Sequence, residues 1–161
     1  MSEVRSSQGI DDVESRLLNR LKDLTSTSKN WKVRSEAVRQ IASGWKQEPG
    51  ILELLKQRVV SDEDWNVRRE AVRQIATVWK QEPGIFEILY DQTLNDPFKR
   101  EYDFESNPRQ IALEAIVKQY LDYPQTLPLL QDRAENDLDE QLQKWAKKKL
   151  QQYTTEPSKR Y

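Results

Sequence analysis

The chain has 161 residues with 26 basic and 27 acidic side chains, a formal net charge of −1, and neither cysteine nor histidine. The absence of thiols and imidazoles excludes disulfides, Cys/His metal sites and any histidine base. The balanced charge argues against a dedicated DNA-binding protein, which needs basic residues to neutralise phosphates.

The N-terminal segment has no apolar signal sequence, and no run of 18 apolar residues occurs in the chain. We therefore expect a cytoplasmic protein without a membrane segment. The four glycines never approach the spacing of a phosphate-binding loop. Residues 1–9 are polar, and we expect them to form a disordered tail.

Residues 31–60 and 65–94 are near copies of each other. At an offset of 34 residues, 19 of their 30 positions are identical, and weaker matches extend the register in both directions. Relative to the 34-residue period, the third repeat contains an insertion of seven residues, which lies within 96–107. This pattern predicts one repeat domain over residues 10–152, with repeats at about 10–46, 49–80, 83–121 and 124–152. We expect the polar segment 153–161 to be a disordered tail.

Each repeat contains two helical segments, which makes about eight helices. The apolar spacing predicts helices near 11–26, 31–46, 49–60, 65–80, 83–94, 108–121, 124–135 and 139–152. Three of the first helices are expected to begin with a proline, Pro49, Pro83 or Pro124. The second helices follow residues that can cap a helix, namely Asn30, Asp64, Asn107 and Asp139.

The apolar face of the helix at 65–80 covers about half of its circumference, including Trp79. A helix with so wide an apolar face must contact its hairpin partner and the neighbouring repeats. The sequence therefore predicts an all-α fold in which four hairpins stack into a right-handed α-solenoid, with Trp45 and Trp79 in its core.

Two helix starts carry a further motif, Asn30-Trp31-Lys32-Val33-Arg34 and Asp64-Trp65-Asn66-Val67-Arg68, each followed by alanine three residues later. This motif resembles the HEAT-repeat family, although the 34-residue period is shorter than the usual ~40–47. The resemblance implies that arginines and acids of adjacent turns form a structural ladder, here Arg34, Arg68 and Arg109 with Asp62, Asp64 or Asp96. It also implies that the second helices line a concave face that binds partners.

Over residues 28–150 the likeness is closest to HEAT-like arrays of cyanobacterial proteins, such as the C-terminal regions of NACHT-type NTPases. This likeness rests on the segments WKQEPG, NDPFKRE and NPRQIALEAI. The nucleotide-binding domain is absent, so the resemblance implies a sensor or docking array and no NTPase activity.

In each of the first two repeats, the exposed stripe of the second helix is basic. It contains Lys32, Arg39, Lys46, Arg69, Arg73 and Lys80. Because Glu36 and Glu70 interrupt it, the stripe is either a solvated face with intrahelical ion pairs or a surface for an acidic protein or nucleic acid. Trp65 beside it either staples the helix start or stacks on a ligand.

The stripe becomes apolar in the later repeats, where Ile111 and Trp145 replace the glutamates. The insertion in the same region contains Phe98, Tyr102 and Phe104. We expect the segment 97–105 to fold as a lid that packs Phe98, Tyr102 or Phe104 toward Ile111 and Trp145. In the alternative, the apolar patch receives a partner.

These observations favour a non-catalytic protein–protein interaction module, a scaffold, adaptor or sensor array that binds a protein on its concave face without cofactor or metal. The alternative is a nucleic-acid-binding HEAT-like protein, similar to the HEAT-like DNA glycosylases. For that role Trp65, Asp64, Arg69 and Arg73 are suitable residue types.

Overall fold

The computed structural model describes the backbone of residues 3–155 and the side chains of residues 8–155. Within this range the chain forms eight α-helices and no strand, which confirms the all-α prediction. The helices are α1 (Glu3–Thr27), α2 (Trp31–Gly44), α3 (Ile51–Ser61), α4 (Trp65–Val78), α5 (Ile85–Asn95), α6 (Pro108–Gln119), α7 (Thr126–Asn136) and α8 (Glu140–Thr155).

The helices belong to two compact units, residues 1–82 and residues 83–161. In the first unit, α1 pairs with α2 and α3 with α4, and α2 also packs against α4. In the second, α5 pairs with α6 and α7 with α8, and α6 contacts α7. Consecutive helical hairpins of this kind are the building blocks of an α-solenoid. A single right-handed domain over 10–152 stays a prediction.

The core of each hairpin consists of aliphatic side chains that repeat at the 34-residue offset. Ile41 and Ile75 are fully buried, as are the corresponding pairs on the first helices, Ile51 with Ile85 and Leu55 with Leu89. Burying each such side chain stabilises the fold by about 1.5–3 kcal/mol. Trp79 is buried as predicted, whereas Trp45 is only half-buried.

The four predicted helix caps are confirmed. The side chains of Asn30, Asp64, Asn107 and Asp139 each accept a hydrogen bond from the backbone N–H two residues later, at 2.8–3.1 Å. Each bond satisfies a donor that the first turn of the helix leaves without an intrahelical acceptor.

The first helices start later than predicted. Pro49 and Pro83 lie in turns before α3 and α5, and Gly50 and Gly84 follow them at φ of 84° and 83°. Proline then glycine at positive φ is the arrangement of a type II turn. Pro124 is followed by Gln125 at φ −80°, so the third turn uses a right-handed conformation that glutamine can adopt.

Both predicted tails are shorter than expected. Residues 3–9 belong to α1, and residues 153–155 belong to α8; neither segment contains a proline, and the helix tolerates Gly9. Residues 1–2 and 156–161 lie outside the described residues.

Candidate functional site

A buried ion pair links two hairpins of the first unit. Arg34 donates from Nε to Asp62 Oδ2 at 3.0 Å and from Nη2 to Asp62 Oδ1 at 2.9 Å. Its Nη1 donates to the Ser28 carbonyl at 2.8 Å. The hydrogen bond with Asp62 raises the pKa of Arg34 despite its burial. This bidentate pair is the ladder contact that the sequence predicted.

The second unit repeats this pair with an acid that the sequence analysis missed. Arg109 donates from Nε and Nη2 to the two carboxylate oxygens of Asp137, at 3.0 and 2.8 Å. The separation of 28 residues is the same as between Arg34 and Asp62, and this offset could have identified Asp137. Arg109 Nη1 also donates to the carbonyls of Asp96 and Phe98.

The other ladder candidates also have structural roles. Arg68 Nη1 donates to the carbonyls of Asp62 and Glu63 at 3.0 and 3.1 Å. Asp64 caps α4, and the Asp96 carboxylate accepts hydrogen bonds from the Gln92 amide and from the Phe98 N–H. These contacts tie helix starts to the turns that precede them, so they position the exposed helix faces.

The glutamates of the basic stripe are engaged within their own helices. On α2, Glu36 accepts hydrogen bonds from Arg39 and from Gln40 Nε2, the latter at 2.8 Å. The same arrangement recurs 34 residues later on α4, where Glu70 accepts from Gln74 at 2.8 Å and from Arg73 at 3.5 Å. Glu70 was expected on the solvated face, but it is buried at 7% exposure.

Arg69 differs from these paired residues. Its guanidinium carbon lies 5.3 Å from the centroid of the Trp65 ring, and its Nε is buried without a hydrogen-bond acceptor in the described part of the chain. Burial, followed by the charge of Arg73, lowers the pKa of Arg69 from its usual value. An arginine remains protonated at neutral pH, so α4 holds a half-buried positive charge whose Nε has no acceptor among the described residues, and the carboxylates of Glu70 and Asp64 partly counter the lowering of its pKa.

The first unit brings the basic candidates together on two packed helices. Lys32, Arg39, Lys46, Arg73 and Lys80 are exposed on α2, on α4 or in the turns after them. Lys32 Nζ lies 5.6 Å from the centroid of Trp31. The apolar candidates Ile111 and Trp145 are half-buried in the second unit, with Lys149 Nζ 5.9 Å from the Trp145 ring.

The insertion is organised around Arg100. This side chain donates from Nε and Nη2 to both oxygens of Asp139, at 2.9 and 2.8 Å, and from Nη1 to the Glu105 carbonyl. Asn107 Nδ2 donates to Asp139 Oδ2 at 2.8 Å. Burial alone would raise the pKa of Asp139, but the hydrogen bonds from Arg100 and Asn107 outweigh burial and hold it below its usual value.

Tyr102 and Phe104 of the insertion do not pack inward as a lid, whereas the packing of Phe98 toward Ile111 and Trp145 stays a prediction. Phe98 is buried, with the Arg100 guanidinium 5.5 Å from its ring centroid. Tyr102 and Phe104 are 58% and 82% exposed and stack on each other, with ring centroids 5.5 Å apart. Carbonyl groups of this loop point inward at Arg100, so these two side chains project into solvent.

Within residues 8–155, no group of three or more acidic side chains is placed to hold a metal ion. The described helices include none that combines the length and the apolar composition needed to cross a membrane.

The sequence pattern of the HEAT repeats family matches residues 17–100, which is more than half of the chain. No curated protein gives a significant match, and no solved structure does.

Proposed function

Because the chain belongs to the HEAT-repeat family, we propose that it is a non-catalytic protein–protein interaction module that binds an acidic segment of a partner. HEAT repeats commonly serve as interaction scaffolds. The binding surface is the exposed side of α2 and α4 with the turns that follow them, here called the basic face. It consists of Lys32, Arg39, Lys46, Arg69, Arg73 and Lys80, with Trp65 at its edge.

The state of Arg69 carries this proposal. The buried Nε of Arg69 has no acceptor, so the guanidinium is partly desolvated, and a partner carboxylate at its terminal nitrogens would supply a charge-assisted hydrogen bond. Trp65 already holds the guanidinium by a cation–π contact, which reduces the side-chain entropy lost on binding. Glu36 and Glu70 accept hydrogen bonds from their own neighbours, and Glu70 and Asp64 offset only part of the Arg69 charge.

The structural role of Asp64 argues against the alternative in which the chain acts on DNA as the HEAT-like glycosylases do. Its side chain caps α4 through the backbone N–H of Asn66 and also accepts from the Asn66 amide. An acid with this structural task is a poor candidate for chemistry on a nucleotide. The likeness to cyanobacterial NACHT-associated arrays supports a sensor or adaptor role in the cytoplasm, and this assignment rests on the sequence alone.

A binding experiment with defined probes tests the proposal. We would titrate the full chain with a fluorescein-labelled hexaglutamate peptide and, separately, with a generic duplex DNA, at about 50 and 200 mM salt. We expect peptide binding that Arg69→Ala weakens about tenfold, equivalent to about 1.4 kcal/mol. Arg16→Ala is the matched control, because Arg16 is exposed on α1 and paired with Asp12 at 2.7 Å.

Two results would contradict the proposal. One is peptide binding that Arg69→Ala and Arg16→Ala change equally. The other is tighter binding to duplex DNA than to the peptide, with the steep salt dependence that phosphate contacts impose.

A further inference from the structure

The insertion loop is a fixed platform. Arg100 joins it to the start of α8 through Asp139, and Gln141 Nε2 donates to the Asp103 carbonyl at 3.3 Å. Glu105 Oε2 accepts the backbone N–H groups of Glu101 and Tyr102 at 2.6 and 2.9 Å, which closes the loop on itself. The buried Phe98 anchors the start of the loop.

This platform presents two large aromatic side chains to solvent. Phe104 is 82% exposed, and its ring is nearly parallel to that of Tyr102, at an interplanar angle of 9°. Because the loop is held by side-chain and backbone hydrogen bonds, the pair is pre-ordered before any partner arrives. Exposed, pre-ordered aromatic residues are common anchors of protein interfaces.

The loop segment that carries the pair is acidic, and Lys99 and Lys144 line the adjoining groove. The segment 101–105 contains Glu101, Asp103 and Glu105 and no basic residue. Glu101 and Asp103 are exposed. The hydrogen bonds that Glu105 accepts from Tyr102 and Glu101 lower its pKa, so it is ionised at neutral pH. Arg100 adds no net charge here, because Asp139 neutralises it at 2.8 Å.

We propose that Tyr102 and Phe104 form a docking platform for a cationic segment of a partner protein. An arginine or lysine of the partner stacks on the open ring faces, while the carboxylates of Glu101 and Asp103 pair with its charge. Glu101 and Asp103 also line the groove on the α8 side of the loop, together with Lys99, Leu138 and Lys144, so the carboxylates lie between this groove and the two rings. The platform is opposite in charge to the basic face, so its proposed partner segment differs from the acidic one.

The test uses the full chain and three synthetic probes, acetylated and amidated (Gly-Arg)3, (Gly-Leu)3 and (Gly-Glu)3. Amide chemical shifts of residues 101–105 report where each peptide binds, and the titration gives its dissociation constant. Phe104→Ala removes the more exposed ring, and Glu101→Gln removes one carboxylate without changing size. Val60→Ala is the matched control, since Val60 is an exposed apolar residue on α3.

We expect the arginine peptide to shift the amides of residues 101–105 and to bind more tightly than the leucine peptide, and we expect the glutamate peptide to leave these amides unshifted. Phe104→Ala and Glu101→Gln each weaken it about three- to tenfold, whereas Val60→Ala leaves it unchanged. The melting temperature of Phe104→Ala stays within error of the parent, which separates lost binding from lost folding.

Three outcomes would overturn the proposal: arginine-peptide affinity that Phe104→Ala does not alter, tighter binding of the leucine peptide, and concentration-dependent dimerisation that Phe104→Ala abolishes. The last would assign the platform to a second copy of the chain. None of these outcomes depends on whether the basic face binds acidic segments.

Discussion

Arg34 and Asp62 form a buried, bidentate ion pair between α2 and the turn that precedes α4, with both hydrogen bonds at 2.9–3.0 Å. Asp62 also accepts the backbone N–H of Asp64 at 3.0 Å, so one carboxylate fixes both the arginine and the turn. Arg109 and Asp137 repeat the pair in the second unit. The motif thus orients the second helices, of which α2 and α4 carry the basic face.

We predict that Asp62→Ala lowers the free energy of unfolding by about 3–5 kcal/mol, because it leaves the Arg34 guanidinium buried without its partner. The exposed pair Arg16–Asp12 provides the comparison, and Asp12→Ala should cost less than about 1 kcal/mol. Urea denaturation measures both. The double variant Arg34→Met/Asp62→Leu should be less destabilised than Asp62→Ala; equal losses would mean that the unpaired charge is not the cause.

Trp79 and Arg73 test the helical register of α4. Trp79 is only 8% exposed, so Trp79→Ala should destabilise the protein by roughly 3–5 kcal/mol. The Arg73 side chain is 47% exposed, and Arg73→Ala should change stability by less than about 0.5 kcal/mol. Thermal and chemical unfolding that gave similar losses for the two variants would be incompatible with the described register.

Gly50 and Gly44 should respond in opposite directions to substitution by alanine. Gly50 has φ of 84°, where a Cβ is strained, so Gly50→Ala should destabilise by about 1–2 kcal/mol. Gly44 lies in α2 with no atom near the position of an added Cβ, and Gly44→Ala should be neutral or stabilise by up to about 1 kcal/mol. Destabilisation by Gly44→Ala equal to that by Gly50→Ala would refute this assignment.

The repeat made much of the fold predictable. The duplicated capping residues and apolar positions locate the helices because each helix start and each core contact recurs after 34 residues. The Pro-Gly turns were misplaced because proline suits both the first turn of a helix and the second position of a β-turn. Only the positive φ of Gly50 and Gly84 distinguishes the two.

The candidate sites were less predictable, because they depend on which side chains pair with each other and which stay exposed. Composition could not show that Glu70 turns inward, that Arg69 lies over the Trp65 ring, or that the Arg69 Nε is buried without an acceptor. The insertion has no repeat counterpart, so no periodicity indicated that Arg100 would reach Asp139, 39 residues away. Tyr102 and Phe104 lie in the loop that this contact holds and are exposed, which contradicts a lid formed by these two rings.

The Arg100–Asp139 pair should make stability depend on acid pH. The pKa of Asp139 is lower in the folded chain than its ordinary value, so its contribution to stability is present at neutral pH. It is lost as the pH falls below about 4 and through the folded pKa, where Asp139 takes up a proton. The stability difference between the parent and Asp139→Asn should therefore shrink between pH 7 and pH 3, as followed by urea unfolding at each pH. A constant difference across this range would contradict the pairing, and Asp122→Asn at an exposed position serves as the control.

Chemical-shift mapping with the hexaglutamate peptide tests most directly whether the basic face binds acidic segments. With the full chain labelled with ¹⁵N, we predict that the largest amide shifts fall on α2 and α4, around Lys32, Arg69 and Arg73, and that Arg69→Ala reduces them at the same peptide concentration. Amides of α3 and α7 should not move. Shifts that spread evenly over the chain, or that are unchanged in Arg69→Ala, would contradict the assignment of this face as the binding surface.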